Sequence, residues 1–186
     1  MAENKWLLFL SQLPASPSSP RVAVWRRMRS AGAAGLQNGV WVLPRSAEHE
    51  RFLTELVVYV KEQGGSGQIL AATALSPAAN QEILAQFRAD RNQEYTEFRE
   101  QCQQFIAEIE KETLNRKFTF AELEENEQDL EKLRTWLLKI QQRDFFGADL
   151  AGVAVVELES CRQALQRFAI QVYSQQGMEA GHGNPG

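Results

Sequence analysis

The stretch Leu36-Gln37-Asn38-Gly39-Val40-Trp41-Val42-Leu43 decides the fold, because Asn-Gly separates two short apolar runs within it. An Asn-Gly pair in this setting is the strongest local signal for a β-hairpin. The sequence therefore predicts two antiparallel strands, one over 33–37 and one over 40–43, with Pro44 directly after the second.

The residues before the hairpin predict a strand and a helix. Trp6–Leu10 is a continuous apolar run, which suits a central strand that is buried on both faces. Ser18-Ser19-Pro20 then offers an N-cap and a proline in the first helical turn, and Gly32 ends the predicted helix. The apolar residues at helical spacing between these limits are Val22, Trp25 and Met28.

The residues after the hairpin repeat this plan in reverse. Ser46 is predicted to cap a helix over 47–63, Gly64-Gly65 ends it, and residues 68–75 supply a fourth strand. The order strand, helix, strand, strand, helix, strand predicts a ferredoxin-like module, a four-stranded sheet with two helices on one face.

After Pro77 the sequence changes to long helical patterns with almost no glycine or proline. An apolar seam in steps of three and four runs from Leu84 to Ile109, and Thr119 with Glu122 forms a capping box before a second helix. A third helix is predicted over 150–175. The expected fold class is α+β: a ferredoxin-like βαββαβ module at 1–76, a three-helix antiparallel bundle at 77–176 and a disordered tail at 177–186.

Each helix of the predicted bundle has a polar interruption in its seam. Arg91 interrupts the first, Asn126 or Glu127 the second, and Glu157 the third. A buried Arg paired with Glu would fix the register of the helices at a desolvation cost. The alternative is that these side chains reach the surface.

Composition and charge place the chain among ordinary folded proteins. Of its 186 residues 44% are hydrophobic and 24% are charged, and its apolar runs are too short to cross a bilayer. The first residues also lack the pattern of a signal peptide, so we expect a cytoplasmic location. The net charge of −4 is unevenly divided, since residues 1–76 hold 8 Lys+Arg against 5 Asp+Glu. The two cysteines, Cys102 and Cys161, are expected to be buried thiols.

Catalytic and metal-binding patterns are weak. His49 lies at a helix start and His182 in the Gly-rich tail, so neither is expected to join a Ser or Cys in a nucleophilic pair. No Cys or His pair has metal-ligand spacing, and Gly64–Gly67 comes before a strand rather than after one. We therefore expect no enzyme activity, no metal and no cofactor.

The most specific feature is a basic helix at residues 18–29, which carries four arginines and no acidic residue. The arginines Arg21, Arg26, Arg27 and Arg29 are expected to point outward while Trp25 packs on the sheet. Guanidinium groups match phosphate geometry, which favours a nucleic-acid contact. The alternatives are ion pairs with Glu48, Glu50 or the acidic bundle, and binding of a small oxyanion.

Several long segments resemble the N-terminal region of ChrB, the bacterial chromate resistance regulator, over about residues 5 to 172. The similar segments are Leu13–Val22 with Trp25-Arg26-Arg27, Gly32-Ala33, Leu36–Pro44, Arg91 with Tyr95, Phe118–Asn126 and Arg143–Ala148. The hairpin section is also similar to the middle domain of PaaX-type repressors and to CRISPR-associated small nuclease subunits. Those nuclease subunits carry an Asp near the end of the first strand, where this chain has Ser11-Gln12-Leu13, so nuclease activity is not expected.

The resemblance implies a DNA-binding regulator of a chromate efflux operon, expected to act as a homodimer. Full-length ChrB continues into a C-terminal domain associated with chromate resistance. The alternatives for this chain are an isolated copy of the N-terminal domain, a domain that acts with a separately encoded C-terminal partner, and a protein without a role in chromate resistance. The main alternative is a protein-interaction module that docks such a partner without binding DNA. An enzyme acting on chromate is a third hypothesis, and it lacks a redox centre in the sequence.

Overall fold

The computed structural model describes residues 5–181 of the chain. Its strands and helices follow one another as β1 (Lys5–Gln12), α1 (Ser19–Ser30), β2 (Ala34–Gln37), β3 (Val40–Pro44), α2 (Ala47–Glu62), β4 (Ser66–Thr73), α3 (Pro77–Leu114), α4 (Phe120–Gln142) and α5 (Ala151–Gly181). The α+β class and the βαββαβ order are confirmed.

The four strands form one antiparallel sheet in the order β2-β3-β1-β4. The hairpin turns at Asn38-Gly39, as the sequence predicts, and Gly39 has a φ of 76°. This is the left-handed region that glycine adopts without steric cost. A Cβ at Gly39 would also lie 2.5 Å from the main-chain oxygen of Ser11, so the turn has room only for glycine.

Each face of the sheet has its own apolar core. On one face Leu7 and Phe9 pack against α1 and α2, and the buried helix residues are Val24, Met28, Leu53, Leu56 and Val60. On the other face Trp6 and Val42 pack against Phe87 in the first turns of α3. The rings of Trp6 and Phe87 stack with centroids 5.7 Å apart.

The chain divides into two compact units, and the division falls inside α3. The sheet unit comprises residues up to Asp90 together with Arg143–Ala148, and the helical unit comprises Arg91–Gln142 with the residues from Asp149 onward. The sequence placed this boundary at 76/77. The first turns of α3 belong to the sheet unit because Ile83, Leu84 and Phe87 cover a sheet face, and Phe145 and Phe146 pack on the same core.

Strand β4 is the outer edge of the sheet on one side. Its eight residues, SGQILAAT, include no charged residue and no proline. Leu70 on this strand is exposed.

The helical unit has α4 antiparallel to α3. Asn126 near the start of α4 lies beside Glu112 near the end of α3, and Trp136 lies beside Phe98. The α3 seam of the sequence is confirmed, since its residues from Phe87 to Ile109 are buried. In α5 Val153 is exposed, and the buried position of this turn is taken by Ala154.

The end of α5 also differs from the expected tail over 177–186. The helix passes through Gly177 and continues to Gly181, and residues 182–186 lie outside the described part of the chain. Among the described helices, none is long and apolar enough to cross a membrane.

Candidate functional site

Helix α1 presents a basic face because its buried residues recur every four positions. The buried residues are Pro20, Val24 and Met28. This spacing places a single narrow stripe against the sheet and turns the flanks of the helix to solvent. The exposed arginines of α1 are Arg21, Arg26 and Arg27, and the helix contains no acidic residue to neutralise them.

Two of these arginines are consecutive and differ in their surroundings. The guanidinium carbon of Arg27 lies 4.4 Å from the centroid of the Tyr59 ring of α2, which is a cation–π contact. Such a contact orients the side chain and leaves its charge uncompensated. Arg26 has no hydrogen bond or ion pair with any other residue that the structure describes.

Arg21 lies in the first turns of α1, where the helix dipole adds positive potential. Its Nη2 donates a hydrogen bond to the main-chain oxygen of Ala15 at 2.6 Å, and the side chain is otherwise exposed. The hydrogen bond fixes this guanidinium beside the loop that leads into α1.

Arg29 is placed differently from the other three predicted arginines. Its Nη1 is 3.2 Å from Oδ2 of Asp90 in α3, and both side chains are mostly buried. The sequence predicts an outward-pointing arginine at this position. The structure forms the ion pair because Arg29 lies one position beyond buried Met28, on the flank of α1 that faces α3.

The expectation that Trp25 packs on the sheet is wrong. Trp25 is 54% exposed, while its neighbour Val24 is buried. Successive residues of a helix are rotated by about 100°, so Val24 and Trp25 cannot both lie at the centre of a narrow buried stripe. Trp25 instead lines a groove beside α1.

This groove has a volume of about 860 Å³ and lies between α1, the β2–β3 hairpin and the end of β1. We name it the α1 groove, and the side chains that matter for its chemistry are Gln12, Arg21, Trp25, Leu36, Asn38 and Trp41. The main-chain N–H of Ser11 donates to the oxygen of Gly39 at 2.8 Å, which ties the hairpin tip to the end of β1. Its wall is therefore held by the backbone of the sheet.

Among the described residues, the helical unit buries three polar or charged side chains, those of Arg91, Glu112 and Asn126. The amide of Asn126 donates to a carboxylate oxygen of Glu112 at 2.6 Å and to the main-chain oxygen of Glu122 at 2.8 Å. Burial raises the pKa of Glu112, and the adjacent Glu122 adds to that effect. The hydrogen bond with Glu112 lowers the pKa of Glu122, with a further contribution from Lys117. Of the two carboxyl groups, Glu112 therefore has the higher pKa and keeps its proton to higher pH.

Glu122 also corrects the predicted capping box. The hydroxyl of Thr119 accepts from the N–H of Glu122 at 3.2 Å, so half of the box is present. The Glu122 carboxylate, however, pairs with Lys117 at 3.3 Å, and the N–H of Thr119 donates to the oxygen of Lys117. The competing cation five residues earlier explains the difference.

The structure shows the surroundings of the polar residue that interrupts each of the three seams. Arg91 is buried, with its Nη2 3.2 Å from Oε1 of Glu94 in the same helix. Asn126, rather than Glu127, is the buried residue of α4. Glu157 pairs with Arg99 at 2.9 Å.

Both cysteines are buried in the helical unit, as the sequence predicts. The Cys161 thiol donates to the main-chain oxygen of Cys102 at 3.5 Å. A hydrogen bond with Cys161, together with burial, raises the pKa of Cys102 far above its usual value. A thiol in this state is unreactive, because the thiolate is the nucleophilic form.

No group of three or more His, Cys, Asp or Glu side chains in the described part of the chain is arranged to hold a metal ion. His49 is engaged with the main-chain oxygen of Pro44 at 2.6 Å and with the Phe145 ring. The sheet unit also presents the exposed arginines of α1 beside the α1 groove.

Comparison with known proteins identifies the family to which most of this chain is similar. The family model for the N-terminal region of protein ChrB matches residues 21–179, which include most of α1, the β2–β3 hairpin and most of the helical unit. This chain belongs to the ChrB N-terminal family.

A curated ChrB relative shows the same relationship at the level of sequence. Protein ChrB from Cupriavidus metallidurans is 31% identical over 96 residues, which cover 52% of this chain. The matched region spans only 29% of the length of that relative. The resemblance found from the sequence is therefore confirmed for the N-terminal region of ChrB.

The sequence did not reveal the α1 groove. It indicated the arginines, but it placed Trp25 on the sheet because Val22, Trp25 and Met28 recur at helical spacing. A usable signal was present in the four-residue spacing of Pro20, Val24 and Met28, which leaves Trp25 off the stripe.

Proposed function

We propose that this chain is a DNA-binding domain of a transcriptional regulator linked to chromate resistance. Membership of the ChrB family supports the regulatory part of the proposal. The observation that supports DNA binding is the exposed, acid-free set of arginines on α1. We assign the phosphate contacts to Arg21, Arg26 and Arg27, since Arg29 already pairs with Asp90.

The proposed domain acts in the cytoplasm as a homodimer and carries out no catalytic step. Two copies would double the number of phosphate contacts, which strengthens binding to a polyanion and suits an operator with two half-sites. Sedimentation analysis of the protein with and without DNA measures this oligomeric state directly.

The test is the salt dependence of DNA binding by the double variant Arg26→Ala/Arg27→Ala. Each phosphate contact contributes about 0.9 to the slope of log affinity against log salt concentration. We expect the double variant to flatten this slope by one to two units on a duplex from the region upstream of its own gene. Fluorescence anisotropy at several salt concentrations provides the measurement.

A matched control removes the same charge from the helical unit. Arg134 and Arg162 are exposed and pair with Glu131 and Glu159 on their own helices. The variant Arg134→Ala/Arg162→Ala should keep the original slope. Equal slopes for both double variants would contradict the proposed interface. A stable complex with a separately encoded protein, without any DNA binding, would favour the interaction-module alternative.

A further inference from the structure

The α1 groove contains an exposed tryptophan that the sheet unit does not need for its core. Trp25 is 54% exposed, although tryptophan buries more apolar area than any other side chain when it packs. The groove places a second indole, that of Trp41, on the floor beside the core. Two indole rings in one open site favour a ligand with a flat, unsaturated surface.

The floor of the groove is left uncovered by a glycine. Gly35 lies beside Trp41 in the neighbouring strand, and a Cβ at this position would lie 3.6 Å from the Trp41 ring. A side chain at position 35 would therefore cover part of that ring. The volume of about 860 Å³ is within the range of sites that take small organic groups.

The polar groups of the groove suit the edge of a heterocycle better than a compact dianion. The side-chain amides of Gln12 and Asn38 make no hydrogen bond with any other described residue, and amides pair well with base edges. A tetrahedral oxyanion such as chromate requires several cationic or N–H donors around it. The groove offers one guanidinium, that of Arg21, which already donates to Ala15.

The position of Trp25 on α1 links the groove to the basic face. Residues four apart on a helix are neighbours, and Arg21 and Trp25 both line the groove. Arg26 follows directly and is exposed. A strand whose phosphates lie on Arg21 and Arg26 would thus have one of its bases at the mouth of the groove.

We propose that the α1 groove accepts one nucleobase, unstacked from the DNA that α1 binds, with the base stacked on Trp25. This inference rests on the proposed DNA binding and specifies what part of the DNA the site takes. Stacking on an aromatic side chain compensates for the loss of stacking within the duplex, and it tolerates different bases.

The test compares two duplexes that differ by one unpaired base. One is fully paired, and the other carries a single extra 2-aminopurine as a bulge in the same sequence. Because the bulged base is already unpaired, we expect the protein to bind the bulged duplex about 5- to 150-fold more tightly. The fluorescence of 2-aminopurine should fall on binding as the base stacks on the indole.

The variant Trp25→Ala should lose both the preference for the bulge and the fluorescence change. Trp25→Phe should retain part of each, because a phenyl ring still stacks. Tyr173→Ala is the control, since it removes an equally exposed aromatic ring from the helical unit. Thermal unfolding of each variant establishes that it is folded.

The outcomes separate this inference from the proposed function. If the protein binds both duplexes equally, or if Trp25→Ala keeps the preference, the base site is wrong. DNA binding by the arginines then still stands, provided that Arg26→Ala/Arg27→Ala flattens the salt slope. If neither duplex binds at low salt, both the base site and the proposed function are overturned.

Discussion

The sheet unit and the helical unit differ in where they place charged and polar side chains. The sheet unit has apolar cores on both faces and exposes three arginines, Arg21, Arg26 and Arg27, on α1. The helical unit buries Arg91, Glu112 and Asn126 among its apolar residues. Exposed charge is free to bind a partner, whereas buried charge must find partners inside and contributes to specificity of packing. Under the proposed function, the sheet unit supplies the recognition surface, and the buried polar groups of the helical unit contribute to its packing.

The largest expected effect on the free energy of unfolding comes from replacing a buried charged residue of the helical unit. Arg91→Ala leaves the mostly buried carboxylate of Glu94 without its 3.2 Å ion pair, and we expect a loss of about 3–5 kcal/mol in the free energy of unfolding. Arg91→Met fills the space without a charge and should cost less. Arg99→Ala, at a more exposed pair, is the control and should cost about 1 kcal/mol or less. Chemical denaturation measures all three, and equal losses would contradict the comparison.

The next effect tests the backbone of the sheet unit. Gly39→Ala combines a left-handed φ with a Cβ 2.5 Å from the Ser11 oxygen, so we expect a loss of about 2–4 kcal/mol. Gly64→Ala is closely matched, since Gly64 has a φ of 74° and no atom within 4 Å of the added Cβ. It should cost only about 1–2 kcal/mol. If the two variants unfold at the same denaturant concentration, the hairpin tip is not held against β1.

The parts of the fold that could be predicted from the sequence are those that depend on local spacing. They are the Asn-Gly turn, the order of strands and helices along the chain, and the α3 seam. The groove depends on the distance between α1 and the hairpin tip, and no periodicity reports such a distance. Arg29 illustrates the same limit, because its partner Asp90 lies 61 positions later in the chain.

A smaller effect concerns the buried amide of the helical unit. Asn126→Ala removes the donor 2.6 Å from the Glu112 carboxylate, and we expect a loss of about 1–3 kcal/mol. Gln93→Ala is the control, because the exposed Gln93 amide donates to Glu97 on the same helix at 3.4 Å. Urea denaturation of both variants provides the measurement. A larger loss for Gln93→Ala would contradict the role given to the buried amide.

The pH dependence of stability should reveal the same carboxyl pair. The pKa of Glu112 is raised above 4.5 when folded, so its contribution is fully present below about pH 4.5 and is lost as the pH rises through the folded value. Glu112→Gln, which cannot ionise, should therefore gain stability relative to the original protein between pH 4.5 and neutrality. Thermal unfolding at a series of pH values measures the difference.

Glu159 provides a control of opposite sign. Its pKa is lowered to about 2 by the hydrogen bond with Arg162, so its contribution is present above pH 4.5 and lost as the pH falls. Glu159→Gln should therefore be slightly less stable than the original protein above pH 4.5, and this difference should disappear as the pH falls. A parallel pH profile for the two variants would show that Glu112 is not the protonated member of its pair.

The smallest effect lies at the surface of the sheet unit. Arg26→Ala should change the free energy of unfolding by no more than about 0.5 kcal/mol, because Arg26 is exposed and bonded to no other described residue. A marked loss of stability in chemical denaturation would show that this arginine supports the fold and is not available for a partner.

The uncharged outer edge of β4 favours association of the protein at high concentration. A row of unsatisfied main-chain amides and carbonyls on a strand without lysine, proline or other protective residues is a template for adding another strand. We therefore expect the protein to associate slowly through this strand in concentrated stocks. A lysine in place of Leu70 should keep such stocks clear.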